Sequence, residues 1–248
     1  MTRLLAIDTA GPILGVTLLQ DGTILHTTDE TGPLRHVEQI VPRIDSALSH
    51  LGWTTGDLTG VAVSAGPGSF TGLRVGMAAA KAIALTHSIP LISVDTLEAL
   101  AATEQYLRAT KEAPHTDLIV PVMDARKSRF YTACFSHTAE LTRLTEDADV
   151  TREELLPIIQ RARSPEAPRW CAPGPMDQML REETGYVAAV AQALSAAPGT
   201  ALRGYRKVLQ GAADTEYQGP SYLRPGDIGK AASTPRFRPT YDSERSED

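Results

Sequence analysis

Gly66-Pro67-Gly68-Ser69-Phe70-Thr71-Gly72-Leu73-Arg74-Val75-Gly76 is the stretch that decides the fold, because it links an apolar strand to a nearly uncharged helix. Val61-Ala62-Val63-Ser64, just before it, predicts a buried strand. Glycine suits a sharp strand-to-helix turn, where φ is positive or two backbones approach closely. The loop is therefore expected at the carboxyl edge of a sheet, where the helix N-terminus could hold an anion. Glycines that only let the turn close are the alternative.

The helix that follows, predicted from about Thr71 to Thr86, is apolar nearly all round. Only Arg74 and Lys81 give it a charged edge, and neither stands where a Walker phosphate loop needs its lysine. Small side chains recur every four residues beside larger apolar ones, and the set is Gly72, Gly76, Ala80, Ala84, Leu73 and Met77. Such a stripe lets a second helix approach closely. It predicts either contact with a partner protein or packing inside the chain's own domain.

The composition is that of a globular protein with an acidic balance. The 248 residues are 42% hydrophobic and carry 24 Lys and Arg against 30 Asp and Glu, a net charge of −6. An independent nucleic-acid surface is disfavoured, because phosphate binding needs clustered basic side chains. Cys134 and Cys171 have no disulfide or metal-ligand spacing and are expected in the core. With no signal peptide or long apolar stretch, the cytoplasm is the expected location.

An internal repeat predicts two related halves. Leu4–Asp8 is a short apolar strand that ends in aspartate and leads into further strands. Leu118–Asp124 repeats this pattern before another strand at Phe130–Phe135. We expect a first domain at residues 1–110, a linker at 111–117, a reduced second domain at 118–225 and a disordered polar tail at 226–248.

Helical periodicity appears between the strands. One helix carries Val37, Ile40, Val41 and Ile44 on a single face and is expected to bend or break at Pro42. Further helices are predicted at Leu97–Thr110, after Thr151 and at Tyr186–Ala197, and a short strand at Trp170–Ala172. The first two of these begin after a residue with a glutamate three positions on, the spacing of a capping box.

Five segments carry a resemblance to a known family. They are Ile7-Asp8-Thr9, Ala65 to Gly76, Ala80-Lys81-Ala82, Asp124-Ala125-Arg126 and Pro220-Ser221-Tyr222-Leu223-Arg224. Together they closely resemble the TsaB family, subunits of the bacterial machinery for tRNA threonylcarbamoyladenosine synthesis, over roughly residues 2–224. The resemblance implies an α/β fold of the actin, sugar-kinase and Hsp70-like (ASKHA) type, with two related βββαβα domains facing a cleft. The internal repeat favours this fold independently.

The resemblance also implies a non-catalytic scaffold subunit. Such a subunit pairs with its catalytic paralogue TsaD and with the small ATPase TsaE, which together move a threonylcarbamoyl group onto the adenosine beside the tRNA anticodon. The complex rather than this chain would bind tRNA, and a homodimer is the expected alternative without the partner. No cofactor is expected in the isolated chain, whereas ATP and a divalent metal are implied for the partners. The candidate interface residues are Gly72, Gly76, Ala80, Ala84, Leu73, Met77, Val37, Ile40, Val41 and Ile44.

A vestigial nucleotide or anion site is the second candidate. Its residues would be Asp8, Gly66, Gly68, Ser69 and Asp124. Nucleotide sites of this fold use two strand-turn-strand phosphate loops, and here the second reads Asp124-Ala125-Arg126-Lys127-Ser128, whose side chains would obstruct a phosphate. Asp8 and Asp124 could hold a cation through water or simply accept N–H bonds from their turns.

Two enzymatic functions of the same fold stay open as alternatives. One is an ATP-dependent phosphotransferase, which the second phosphate loop disfavours. The other is a metallopeptidase-like hydrolase. No metal site is expected, because the catalytic paralogue uses a His-x-x-x-His pair and no two of the six histidines stand four apart. Metal and nucleotide content of the purified chain would separate these alternatives from the scaffold.

Overall fold

The computed structural model describes residues 1–31, 36–112, 116–137, 140–162, 170–171, 195–214 and 218–223. The strands are β1 (Arg3–Asp8), β2 (Ile13–Gln20), β3 (Thr23–Thr31), β4 (Gly60–Gly66), β5 (Leu91–Asp95), β6 (Leu118–Ile119), β7 (Val122–Asp124), β8 (Arg129–Thr132), β9 (Phe135–His137), β10 (Leu141–Arg143), β11 (Ala148–Thr151) and β12 (Trp170–Cys171). The helices are α1 (His36–His50), α2 (Phe70–His87), α3 (Thr96–Thr110), α4 (Arg152–Ala162) and α5 (Ala197–Leu209).

A five-stranded sheet with the order β3-β2-β1-β4-β5 organises the first half. Strand β1 lies at its centre, antiparallel to β2 and parallel to β4. Successive β1 side chains enter opposite cores, because a strand alternates its faces. Leu5 and Ile7 pack with α1 and α2, whereas Leu4 and Ala6 pack with α3 and α5. The βββαβα order that the resemblance implies is present in the first half, and the fold is of the α/β ASKHA type.

The described part of the second half contains two small sheets. Their strand orders are β10-β9-β6-β12 and β11-β8-β7. The single strand predicted at Leu118–Asp124 divides at Pro121 into β6 and β7, which belong to different sheets. Proline has no N–H to donate to a ladder, so pairing stops there. The strand predicted at Phe130–Phe135 is likewise divided between β8 and β9.

Helix α5 was not predicted, and it changes the division into domains. The helix expected at Tyr186–Ala197 falls largely outside the described residues, and α5 begins where that prediction ends. Two glycines let α5 lie on the first half: a Cβ on Gly199 would stand 1.8 Å from the Ala99 carbonyl oxygen, and one on Gly204 would stand 2.6 Å from the Ala62 Cβ. Part of the segment assigned to a second domain thus completes the first. The linker is only partly described, and the tail at 226–248 lies outside the described residues.

The small-residue stripe of α2 is buried within the chain, which corrects its assignment to a partner interface. Gly72, Leu73, Gly76, Met77, Ala80 and Ala84 are all buried. The Thr9 hydroxyl donates to the Gly72 carbonyl oxygen at 2.7 Å, and a Cβ on Gly72 would stand 2.1 Å from the Thr9 carbonyl oxygen. The stripe therefore serves the approach of α2 to the turn after β1.

Helix α1 divides its predicted interface residues between core and solvent. Ile40 and Ile44 are buried, whereas Val37 and Val41 are 65% and 67% exposed. Pro42 lies inside the helix without ending it. Ile40 and Ile44 are thus core residues in this structure. The prediction that Val37 and Val41 contact a partner stays a prediction.

Ala80→Glu is expected to unfold part of the population in mild denaturant. Ala80 is fully buried, and an unpaired carboxylate at such a site should lower the free energy of unfolding by about 3 kcal/mol or more. Ala82→Glu, on the exposed side of the same helix, should change it by only about 0.5 kcal/mol. Urea unfolding of both variants measures this difference. An equal decrease in the free energy of unfolding for both variants would show that Ala80 is not a core residue.

Candidate functional site

Asp8 ends β1 at the carboxyl edge of the first sheet and is almost completely buried. Its Oδ1 accepts a hydrogen bond from the Ala10 N–H at 3.0 Å, and its Oδ2 accepts one from the Ala196 N–H at 2.6 Å. Burial raises the pKa of Asp8, although these two donors act in the opposite direction. The carboxylate therefore holds the N-terminus of α5 and faces the chain's own backbone.

Ser195 completes this attachment of α5. Its hydroxyl donates to Asp29 Oδ1 at 2.6 Å, and burial raises the pKa of Asp29. Gly15 on the neighbouring strand makes room, since a Cβ there would stand 1.8 Å from the Ser195 Oγ. Two carboxylates of the first sheet thus bind one short turn.

The glycine loop is occupied by another segment of the chain. Gly66 has a φ of +129°, and the Gly66–Pro67 peptide is cis. A Cβ on Gly66 would stand 2.0 Å from the Ser221 carbonyl oxygen, and the Ser221 N–H donates to the Ala65 carbonyl oxygen at 2.7 Å. The segment around Ser221 therefore lies where a nucleotide phosphate would have to approach Gly66.

The remaining loop residues serve the start of α2. The Ser69 N–H donates to the Ala10 carbonyl oxygen at 2.7 Å, and the Ser69 Oγ accepts from the Gly72 N–H at 3.3 Å. A Cβ on Gly68 would stand 2.6 Å from the Ala10 carbonyl oxygen. The α2 N-terminus is thus capped by its own serine and packed against the turn after β1.

Asp124 lies apart from these residues, at the exposed end of β7 in the three-stranded sheet. Its Oδ1 accepts from the Arg126 N–H at 2.7 Å, the bond that Asp8 makes to Ala10 in the first half. Arg126, Lys127 and Ser128 follow with φ values of 61°, 54° and 56°. Left-handed backbone at non-glycine residues costs roughly 1–2 kcal/mol each, so this turn is strained. The two aspartates are equivalent in their turns, but only Asp8 is covered by a helix.

The chain itself already engages the residues proposed for a nucleotide. Asp8, Gly68 and Ser69 are brought together at the turn after β1, and the Asp8 and Ser69 side chains bind the N–H groups of Ala10, Ala196 and Gly72. Among the described residues, no group of three His, Cys, Asp or Glu side chains could hold a metal ion.

An arginine of the second half pairs with an aspartate of the first half. Arg143 Nη2 from β10 bonds Asp95 Oδ1 at 2.6 Å, and Arg143 also pairs with Asp147 and stacks on the Phe135 ring. Asp95 caps α3 as predicted, accepting from the Glu98 N–H at 2.7 Å. Burial raises the pKa of Asp95 to about 6, and the neighbouring Asp147 adds to the rise. Sequence reasoning missed this clamp, because its partners are 48 residues apart without a shared motif.

The Pro220 to Arg224 segment of the resemblance forms a second contact that sequence reasoning did not place. Arg74 lies over the Phe70 ring at 3.9 Å, and its Nε donates to the Tyr222 hydroxyl at 3.1 Å. The Phe70 and Tyr222 rings are 5.0 Å apart. This cluster holds the segment against the start of α2. Arg224 lies outside the described residues.

Cys134 is confirmed as a core residue. It is fully buried, and burial raises the pKa of its thiol to about 11. The prediction for the Cys171 side chain falls outside the described part of the chain. No helix in the described residues is both long and apolar enough to cross a bilayer.

The outward sides of α1 and α2 carry several exposed apolar residues among charged ones such as Glu38, Asp45 and Arg74. Both helices pack on the same side of the first sheet, so their exposed sides form one layer. We define the α1–α2 face by the exposed residues Val37, Val41, Ala78, Ala82 and Leu85. Val37, Val41 and Leu85 are each about two-thirds exposed. These exposed aliphatic side chains make the α1–α2 face a candidate docking surface.

Comparison with known proteins places this architecture in a family. The family model for TsaD, tRNA N6-adenosine threonylcarbamoyltransferase, matches residues 31–170, more than half of the chain. The Bacillus subtilis (strain 168) tRNA threonylcarbamoyladenosine biosynthesis protein TsaB is 30% identical over 163 residues, which cover 65% of this chain and 68% of that protein. This chain belongs to the TsaB family.

Two further comparisons bear on how much of the chain is shared. The Escherichia coli (strain K12) TsaB protein is 39% identical over 99 residues, 40% of this chain and 42% of that protein. The alignment thus spans less than half of the E. coli protein. A Pseudomonas aeruginosa crystal structure, described as similar to peptidase YEAZ, has a TM-score of 0.73 at 25% identity and covers 90% of this chain and 100% of that one.

Asp95→Asn is expected to change how stability depends on pH. The folded pKa of Asp95 is about 6 against an ordinary 3.8, so the folded state holds the proton more tightly than the unfolded state. The contribution of Asp95 to stability is therefore lost as pH rises from about 4 to about 6. Asparagine keeps the cap but cannot titrate. The stability of the variant should therefore rise relative to that of the wild type as pH increases across this range. Thermal melts of both proteins at several pH values measure this difference. Melting temperatures that change with pH in the same way for both would contradict the raised pKa of Asp95.

Proposed function

We propose that this chain is a non-catalytic subunit of tRNA threonylcarbamoyladenosine synthesis. It pairs with TsaD through the α1–α2 face and acts with TsaE while TsaD moves the threonylcarbamoyl group onto the adenosine beside the tRNA anticodon. The exposed apolar α1–α2 face is the observation that carries this proposal. Membership of the TsaB family supports the pathway, because the curated relatives are named as biosynthesis proteins of this modified nucleoside.

The choice of partner follows from the match to the TsaD family model. That match begins just before α1 and extends through α2, so a TsaD partner would present helices related to these two. Two related helix pairs can pack about an approximate twofold axis, and each then covers the apolar side of the other. A second copy of this chain would use the same face when TsaD is absent.

The non-catalytic role is supported by what fills the cleft edge. Ala196 donates to Asp8, and the Ser221 carbonyl oxygen lies against Gly66. A nucleotide would have to displace both segments and leave the buried Asp8 carboxylate without one of its two donors, which is costly. ATP and the divalent metal are therefore assigned to the partners.

The role of tRNA follows from charge. A chain with a net charge of −6 lacks the electrostatic attraction that drives phosphate binding. We assign the tRNA contact to the assembled complex.

Val41→Glu is expected to abolish pairing with TsaD while the chain stays folded. The substitution places a charge on the α1–α2 face, where a partner would exclude water, and affinity should fall by more than about tenfold. Leu209→Glu is the matched control, because Leu209 is equally exposed at 66% but lies at the end of α5. Isothermal titration with purified TsaD, alongside a thermal melt, tests both. Undiminished binding by Val41→Glu would refute the proposed face.

The purified chain alone is expected to show no ATPase, kinase or peptidase turnover above background and only weak tRNA binding at physiological salt. The occupied cleft edge and the acidic charge are the reasons. Phosphate-release and gel-shift assays measure these properties. Steady ATP hydrolysis that disappears in Asp8→Ala would overturn the non-catalytic assignment.

A further inference from the structure

Arg74 is an exposed arginine whose position is fixed by two aromatic side chains. Its guanidinium carbon lies 3.9 Å from the centre of the Phe70 ring, and its Nε donates to the Tyr222 hydroxyl at 3.1 Å. The Phe70 and Tyr222 rings also contact each other, with their centres 5.0 Å apart. Because the guanidinium is already held in one orientation, it would lose little conformational entropy on binding a further group.

The charge of Arg74 has no counter-ion among the described residues. Its Nε donor is used by the neutral Tyr222 hydroxyl, and no described residue accepts a hydrogen bond from its Nη atoms. Six other arginines each pair with an aspartate or glutamate, namely Arg3, Arg43, Arg108, Arg129, Arg143 and Arg203. Arg74 is thus held in place without the carboxylate that these arginines have.

Arg74 also adjoins the α1–α2 face. Arg74, Ala78 and Ala82 are exposed and stand four residues apart, so they follow one another along one side of α2. Ala78 and Ala82 belong to the α1–α2 face, and Arg74 therefore lies at its edge, near the N-terminal end of the helix. A protein that covers this face would bring its own polar groups within reach of the guanidinium.

We propose that Arg74 binds a carboxylate of the protein that docks on the α1–α2 face. The two Nη atoms can donate a pair of parallel hydrogen bonds, which match the two oxygens of an aspartate or glutamate. An RNA surface would need several clustered basic side chains, whereas the next exposed residues along α2 are Ala78, Ala82 and Leu85. This inference rests on the proposed function and names the group on TsaD that the edge of the face recognises.

Arg74→Gln tests the proposal, because it removes the charge and keeps part of the side-chain stem. Affinity for TsaD should fall about threefold to tenfold at about 0.05 M salt. The loss should be smaller at about 0.5 M salt, because salt screens an ion pair at the edge of an interface. Arg206→Gln is the matched control and should bind like wild type, since Arg206 is an exposed arginine of α5, on the other side of the first sheet.

The measurements are isothermal titration with TsaD at both salt concentrations and a thermal melt of each free chain. Both glutamine variants should melt within about 2 °C of wild type, because both positions are exposed. Arg74→Glu is a second variant and should bind more weakly than Arg74→Gln at low salt, because two carboxylates repel each other. A loss of affinity that is equal at both salt concentrations, or that accompanies a large fall in melting temperature, would overturn the proposal.

These results separate the Arg74 contact from the proposed function. If Val41→Glu abolishes binding while Arg74→Gln binds TsaD like wild type, the α1–α2 face stands and the carboxylate contact fails. If Arg74→Gln keeps its affinity for TsaD but the complex loses tRNA, the guanidinium serves RNA and the proposal is wrong. If the wild-type chain does not bind TsaD at all, the proposed function fails and the Arg74 contact fails with it.

Discussion

The hydrogen bond from the Ala196 N–H to the buried Asp8 carboxylate ties the start of the chain to its last described helix. It spans 188 residues at 2.6 Å. Through it, α5 is fixed across β1, and α3 is fixed in turn because α5 packs against it at Gly199. The second half connects through the Arg143 clamp to Asp95 at the same sheet edge. The attachment of α5 to the first sheet therefore includes one buried carboxylate, whose pKa is raised by burial.

In this arrangement the chain's own segments cover the polar groups at the carboxyl edge of the first sheet. In an ASKHA fold the carboxyl edge of the first sheet is open to a ligand, but here the turn before α5 and the segment around Ser221 occupy it. The surface that we propose for recognition is the side of α1 and α2 that faces away from the sheet.

Local signals in the sequence predicted most of the first half and the helix caps. Asp95 with Glu98 caps α3, and Thr151 with Glu154 caps α4. Caps of this kind are predictable because all their residues lie within four positions of each other in the sequence. The small-residue stripe was recognised, but its neighbour was not. The backbone that approaches Gly72 belongs to Thr9, which is far away in sequence. Helix α5 was missed because Gly199 and Gly204 look like helix breakers. These glycines instead allow close contact with Ala99 and Ala62, which are distant in sequence. The Asp8 environment was unpredictable for the same reason.

The position of α5 also affects how the chain reaches its native state during synthesis. The central strand β1 leaves the ribosome before α5, the helix that covers one side of its sheet and is made nearly two hundred residues later. Contacts of such high sequence separation form slowly, and the apolar side of the sheet stays exposed to other chains in the interval. Nascent chains shortened before α5 should therefore aggregate. Chaperones that bind extended apolar segments would bind the face of the sheet that carries Leu4 and Ala6.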